Sequence, residues 1–584
     1  MNTPFYTICV SDPNANELEV TLTLRGLSPG PLRLLMPAWS PGSYLLREYA
    51  RHVQRFQALA GEHGDEAPTL PWRKTARGAW EVQIPEGVTT LTVRYFLWAY
   101  ELSVRCNYVS TQRVFINGAS TWMRAEGFDG PCALEARAPR EDWKIYTALP
   151  CADGAVTPLH RARFEAESYD HLVDCPIEMG DHQEFLFQAS GAAHRLVMAG
   201  PHRAPVDQLV QEIPRIVKAT RALFGELPYK QYLTLVAHAD EGRGGLEHRD
   251  STALIFPTHH YAAEHGVEDF LCLLTHEHFH AWNVKRIRPA VLGPFDYDRE
   301  AYTRALWLME GTTCYYETIL MYRAGLMTAP RMLELLGQRI GEVSQTPGRK
   351  LRSLEEASFD AWIKHYRPDA SSRNTTISYY LKGELISWLL DLEIRRRSDN
   401  QRSLDDVMRH LWHRYGRPDL GFDEDQLPAI FAEATGVDLT DCFARYVRGV
   451  EDPDWAALLS DFGLTFQPHQ HDPARPTLGL THREDGDRLL IDSVKQSGPA
   501  QQAGLYPGDE LVALDNHKID RRTLPALLAG RRPGEQIDLH VFRLGQLTHA
   551  RLRLGSSPIE HYAITLAPDP SDRALSLRQR WLAR

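Results

Sequence analysis

His276, Glu277 and His280 stand in the pattern H-E-x-x-H, inside LCLLTHEHFHAWNVKRIRP. Residues four apart on an α-helix share a face, so both imidazoles can point at one cation. Glu277 follows the first histidine and can hold a water and take its proton. This is the donor set of a hydrolytic zinc centre: two neutral imidazoles, an open position and a carboxylate base. Glu310, in the helix-like stretch ALWLMEGTTCYYETIL, is the candidate third ligand. Buried without a partner it would cost several kcal/mol, so a ligand role is the easier one physically. His278 lies two residues from each histidine, cannot share their face and reads as a structural or supporting residue.

A second set precedes the helix. Gly244 and Gly245 open GGLEH, and glycines let a backbone approach an extended peptide at a strand edge. Glu247 would then meet the ammonium of a free N-terminus, whose pKa of about 7.7–8 leaves it largely charged at neutral pH.

These groups need elements to hold them. The apolar run Phe270–Leu274 predicts a buried helix for the histidines. QYLTLVAHA predicts a strand beside the glycines. The run 296–300 predicts a solvated loop capping the Glu310 helix, and TISYYLKGELISWLLDLEIRR predicts a further helix over 376–396. Upstream, short β-branched and aromatic runs punctuated by Pro, Gly and Asn predict an antiparallel sandwich.

HEHFHAWNVKRIRP and LWLMEGTTCYYE resemble the glycyl aminopeptidase family, gluzincin zinc peptidases with a C-terminal PDZ domain. The resemblance extends over nearly the whole chain. It implies a multidomain α+β fold: an N-terminal β-sandwich-like domain over 1–165, a thermolysin-like, mostly helical zinc peptidase domain over 166–465, a PDZ domain over 470–560 and a tail over 561–584. The linker QPHQHDPARP precedes the PDZ region. GGLEH resembles the glycine-and-Glu exopeptidase motif, with His248 where Asn is common. YYLKG resembles the Tyr-x-Lys-Gly pattern whose tyrosine donates its hydroxyl to the oxyanion. By that match Tyr380 is the candidate and Tyr379 the alternate. Leu478-Gly479-Leu480 resembles the loop of bacterial-protease PDZ domains that holds a peptide's C-terminal carboxylate. One Zn²⁺ per chain, peptides with a free N-terminus and a preference for N-terminal Gly or Ala follow from the resemblance.

Composition bounds the alternatives. The chain has 584 residues, 43% hydrophobic and 24% charged, and a net charge of −11. Those are ordinary globular values, and the charge argues against nucleic acid or an anionic membrane as partner. MNTPFYTICVSDPNANELEV lacks a basic segment followed by an apolar one, and no apolar run approaches the roughly 20 residues that span a bilayer. Eight cysteines without paired spacing do not suggest a disulfide framework. The expected compartment is the cytoplasm, or the periplasm if the N-terminus is processed. Two rival functions share these residues. One is a zinc endopeptidase in which Glu247 is only structural. The other is a non-enzymatic PDZ scaffold or chaperone with a vestigial zinc site.

Overall fold

Strands Phe5–Cys9 and Glu17–Arg25 bury alternate residues, as half-buried strands do. In the computed structural model they lie inside a six-stranded sheet, whose outer strands are Arg161–Ala166 and Val53–Ala60. A four-stranded sheet shares its core, built on Tyr6, Leu22, Trp80, Tyr95 and Trp122. This is the expected N-terminal β domain. The structure describes residues 3–10, 12–62, 67–469 and 472–583. Residues 470 and 471 of the expected linker lie outside them.

The chain forms two units. The first is Met1–Tyr302 with Tyr316–Met327 and Met408–Asp423; the second is Thr303–Tyr315 with Thr328–Val407 and Glu424–Arg584.

In the first unit a five-stranded sheet runs β1 (Gln183–Ala189), β2 (Ala192–Ala199), β3 (Gln231–Ala239), β5 (Ser251–Pro257) and β4 (Gly244–Glu247), in that order. Strands β2, β3 and β5 are parallel. β4 ends the sheet, antiparallel to β5, with Glu247 opposite Thr252. The crossover from β2 to β3 is helix α1 (Val206–Phe224), which ends on Gly225 in the left-handed region. Helix α2 (Gly266–Phe279) follows β5 and buries nearly every residue from Phe270 onward. That is why its sequence is a continuous apolar run rather than an amphipathic stripe.

The second unit opens with a π-helical turn, Trp307–Gly311, that runs into α3 (Thr312–Arg323), whose residues from Tyr316 onward belong to the first unit. Then come α4 (Ala329–Ser344) and α5 (Leu381–Arg397). The expected helix over 376–396 thus starts later, because Ser378 Oγ accepts the Leu381 N–H at 3.3 Å and Tyr380 becomes the residue before the first turn. The run 296–300 is the expected loop, with Asp296 and Arg299 exposed, but its tyrosine and its capping role differ from expectation. Tyr297 is buried, its hydroxyl donating to Asp170 at 2.8 Å, and the Asp296 carbonyl accepts from Trp39. The N–H of Arg304, before the π turn, is capped instead by the Glu424 carboxylate at 3.1–3.2 Å.

Past α5, strand β6 (Leu464–Pro468) leads to the PDZ domain, whose sheet ends on β7 (Leu480–Asp485) paired to β8 (Arg488–Val494). Helix α6 (Thr523–Ala529) places Leu524 in its core. The last strand, β9 (Tyr562–Leu566), returns to pair with β6, and α7 (Asp572–Trp581) sets Trp581 edge-on to Trp388 at 5.9 Å. Among the described residues no helix is long and apolar enough to cross a membrane.

Candidate active site

In the first unit, α2 places His276 and His280 one turn apart with ring centroids 4.7 Å from each other. Each ring is oriented through Nδ1. His280 Nδ1 is 2.6 Å from the Asn283 carbonyl, which can only accept, so this nitrogen carries the proton and Nε2 keeps its lone pair. His276 Nδ1 is 3.3 Å from Glu317 Oε2 on α3, a carboxylate–histidine pair of the kind that fixes metal ligands. The turn that delivers the Asn283 carbonyl passes through Val284 at φ 118°, a conformation a β-branched residue adopts only where its surroundings impose it.

Glu247 and Glu277 are 4% and 5% exposed. One oxygen of each, with a nitrogen of His280, lie within 4.8 Å of one another. Two buried carboxylates so close repel unless a cation lies with them. The pocket therefore suits a metal ion, a substrate ammonium or both, and imidazole with carboxylate is a donor chemistry that zinc accepts. Glu247 Oε1 has no hydrogen-bond partner among the described residues. The glycines give these carboxylates room. A Cβ on Gly245 would lie 2.2 Å from Glu277 Oε1, and one on Gly42 would lie 2.3 Å from Glu247 Oε1. Gly244 is the first residue of β4, and its neighbour is Arg105, which donates to the Gly245 carbonyl at 3.1 Å.

Supporting contacts come from residues outside the candidate donor set. His248 Nδ1 lies 3.5 Å from Asp174, and Lys285 Nζ donates to the same carboxylate at 2.6 Å. Burial would raise the Asp174 carboxyl, but Lys285 and His248 hold it well below the usual carboxylate range. His278, turned from the other two histidines, sits among His194, Tyr229, Tyr232 and Trp282, 2.5 Å from the Tyr229 hydroxyl. Burial pushes its imidazole down to about 3, so the ring is neutral, as a structural histidine should be.

In the second unit, Glu310 is 2% exposed within the π-helical turn. π-turns inside α-helices often mark functional sites. Gly311 packs so tightly on α5 that a Cβ there would lie 2.5 Å from Gly383 Cα, which brings the first turns of the two elements together. Tyr380 precedes α5, and its hydroxyl is 3.4 Å from that of Tyr366. Burial first, and then the charge of Glu310, hold its phenol well above its ordinary value. It therefore stays a hydrogen-bond donor. Tyr379 is fully buried, whereas Tyr380 is partly open. His365 stacks on Tyr380 at 5.3 Å.

Sequence reasoning missed Glu317, Arg105, Asp174, Tyr366 and His365. Only Glu317 carries a sequence signal: it lies two helical turns beyond Glu310. The others arrive from distant segments. In the PDZ domain Leu478 is buried, the Gly479 carbonyl accepts from Lys495 and Leu480 opens β7 opposite Val494.

Comparison with known proteins agrees with this organisation. The family model for the M61 glycyl aminopeptidase matches residues 269–386, that for the peptidase M61 N-terminal domain residues 5–181, and a PDZ model residues 476–554. The crystal structure of an aminopeptidase N family protein from Idiomarina loihiensis is 30% identical, with a TM-score of 0.93 over 100% of both chains. An M1 zinc metallopeptidase from Deinococcus radiodurans shares the fold at 15% identity, with a TM-score of 0.50 over 78% of this chain and 95% of that one. A protein named "probable periplasmic serine endoprotease DegP-like" from Hahella chejuensis is 29% identical over 96 residues, 16% of this chain, a match confined to the PDZ domain. The chain spans only 20% of that relative's length, and 16% of a like-named one from Bartonella henselae. By its full-length likeness at 30% identity and the ordered match of catalytic, N-terminal and PDZ models, the chain belongs to the M61 glycyl aminopeptidase family.

Proposed function

We propose that this protein is a zinc-dependent aminopeptidase that removes N-terminal residues, Gly or Ala by family preference, from peptides. The observation that carries this reading is the convergence of buried Glu247, Glu277 and His280 beside an edge strand. One carboxylate serves the water and the other the substrate ammonium.

His276, His280 and Glu310 would hold one Zn²⁺. When bound, the ion supplies Lewis-acid polarisation of the scissile carbonyl and acidifies a water. Glu277 takes the proton of the attacking water and returns it to the leaving amine. The Tyr380 hydroxyl donates to the oxygen on which negative charge develops. Glu247 holds the free N-terminus, so that the bond cut is the first one. β4 offers its backbone to the extended substrate, with Gly244 and Gly245 keeping the approach clear. In the PDZ domain, the backbone at Leu478, Gly479 and Leu480 would receive the carboxylate of a peptide C-terminus.

The test is a panel of aminoacyl chromogenic amides, free and N-acetylated, with and without a chelator, alongside metal analysis. Free Gly and Ala amides should turn over, acetylated ones should not, and chelation should abolish turnover. Equal cleavage of blocked and free peptides would instead establish an endopeptidase. A metal-free protein without turnover would leave only a binding role.

A further inference from the structure

Lys382 lies in the first turn of α5, two residues after Tyr380, and has no part in the chemistry above. It is 2% exposed, and its Nζ has no hydrogen-bond partner among the described residues. Burial, only partly offset by Asp452, pushes its ammonium down to about 8, which leaves it mostly charged at neutral pH. Asp452 is already engaged by Arg349 at 3.2 Å and by Lys350 at 2.8 Å. Asp454, nearby in sequence, spends one oxygen capping a helix through the Ala457 N–H at 3.0 Å. A methionine would fill the same space without the cost of an unpaired buried ammonium.

Lys382 lines a cavity of about 480 Å³. Arg349 and Lys495 add positive charge to its wall and the already engaged Asp452 and Asp454 negative charge, while Ile340, Leu385 and Phe466 make another part apolar. The volume is that of a small-molecule site, and the lining combines one apolar surface with a few convergent polar groups. Inorganic phosphate would leave the apolar wall unused, and a hydrocarbon would leave the ammonium unpaired.

We propose that this cavity binds a small organic carboxylate with an apolar body, the carboxylate on Lys382 Nζ and the body against Ile340, Leu385 and Phe466. Such a group belongs to a short aliphatic acid or to the C-terminal residue of an apolar peptide.

Calorimetric titration of the full-length protein tests it with hexanoate, N-acetyl-leucine, hexanamide and inorganic phosphate. Hexanoate or N-acetyl-leucine should bind at least about tenfold more tightly than hexanamide, since a hydrogen bond to a charged group is at stake. Whichever carboxylate binds better identifies the source. Lys382→Met should lose that preference while its melting temperature holds or rises. Equal affinity for acid and amide, binding of phosphate alone, or an unchanged preference in a folded Lys382→Met would each overturn the assignment. Should the variant fail to fold, the wild type decides. Acid affinity relative to amide should fall as pH rises from about 7 to about 10 and the ammonium is lost. A flat ratio overturns the site.

Discussion

β4 and β7 each end a sheet, and each follows glycine-containing backbone that an extended peptide could approach. Their surroundings differ. From Gly245 to Glu247 β4 is buried, with two carboxylates crowded behind it. The last four residues of β7 are exposed, and its acidic residues, Glu484 and Asp485, pair with Arg521 and Arg488 in solvent. An edge alone binds; chemistry requires charges removed from water, where each is worth more and each must be matched. The comparison predicts that substitutions behind β4 act on turnover, whereas changes around β7 spare small substrates.

The largest effect should come from Glu277→Gln. It removes the proton acceptor and keeps the shape, so kcat should fall by about 10²–10⁴-fold while zinc content is unchanged. Near-normal kcat in the zinc-loaded variant would remove Glu277 from the mechanism. Tyr380→Phe should follow, with a loss of about 10²–10³-fold in kcat, the usual consequence of deleting one oxyanion donor. Tyr379→Phe provides the contrast. It should leave kcat near wild type, and the reverse ranking would move the donor role to Tyr379.

Glu247→Ala sharpens the comparison differently, because it should change which substrates are chosen. Truncating one side of a buried charge pair costs about 2–5 kcal/mol, or roughly 30-fold to several thousandfold in kcat/KM for free N-termini. The ratio of free to acetylated substrate should fall towards one. A variant that still prefers free N-termini as strongly as wild type would show that another group reads the ammonium.

Glu317→Gln should act through His276. Losing a carboxylate that orients a metal-binding imidazole costs about 10–100-fold in metal affinity. Competition with a chelator measures this directly. Excess zinc should restore most of the activity, which it would not do for Glu277→Gln.

How far the sequence could be read follows the range of the interactions. H-E-x-x-H is legible because its spacing is set within one helix, and the β4 edge because its glycines sit beside Glu247. The PDZ fold is legible because its turns and strands follow in order. Glu317 was within reach, two helical turns past Glu310. Asp174 and Arg105 were not, since they touch His248 and the Gly245 carbonyl from segments 74 and 140 residues away. Within the 296–300 loop Tyr297 was misread, because a stretch of charge suggests solvent. The tyrosine within it is held in a core by partners that only the fold supplies, Asp170 and Tyr169. The start of α5 was misplaced because Ser378 competes for the helix's first N–H, a choice propensity cannot settle.

The smallest effect expected is that of removing the PDZ domain, provided the cut respects the fold. Deleting everything from about 470 onward would be a poor test. It would take β9 away from β6, and α7, with Trp581, away from Trp388 and Phe462. Those losses fall on the body that carries Glu310 and Tyr380, so lost activity would say nothing about peptide recruitment. The chain offers a cleaner cut. Pro476–Thr477 pairs antiparallel with Gly555–Ser556, which places the two ends of the PDZ domain side by side. Excising 478–554 and closing the gap with a short glycine linker keeps β6, β9 and α7 in place. Domains joined at adjacent termini are commonly removable without unfolding their host. This variant should keep its zinc and its kcat/KM on small aminoacyl amides, and lose efficiency only on long peptides. If it is folded and zinc-loaded but inactive on small amides, the PDZ domain completes the active site. The contrast between a chemical edge and a merely binding edge would then be wrong.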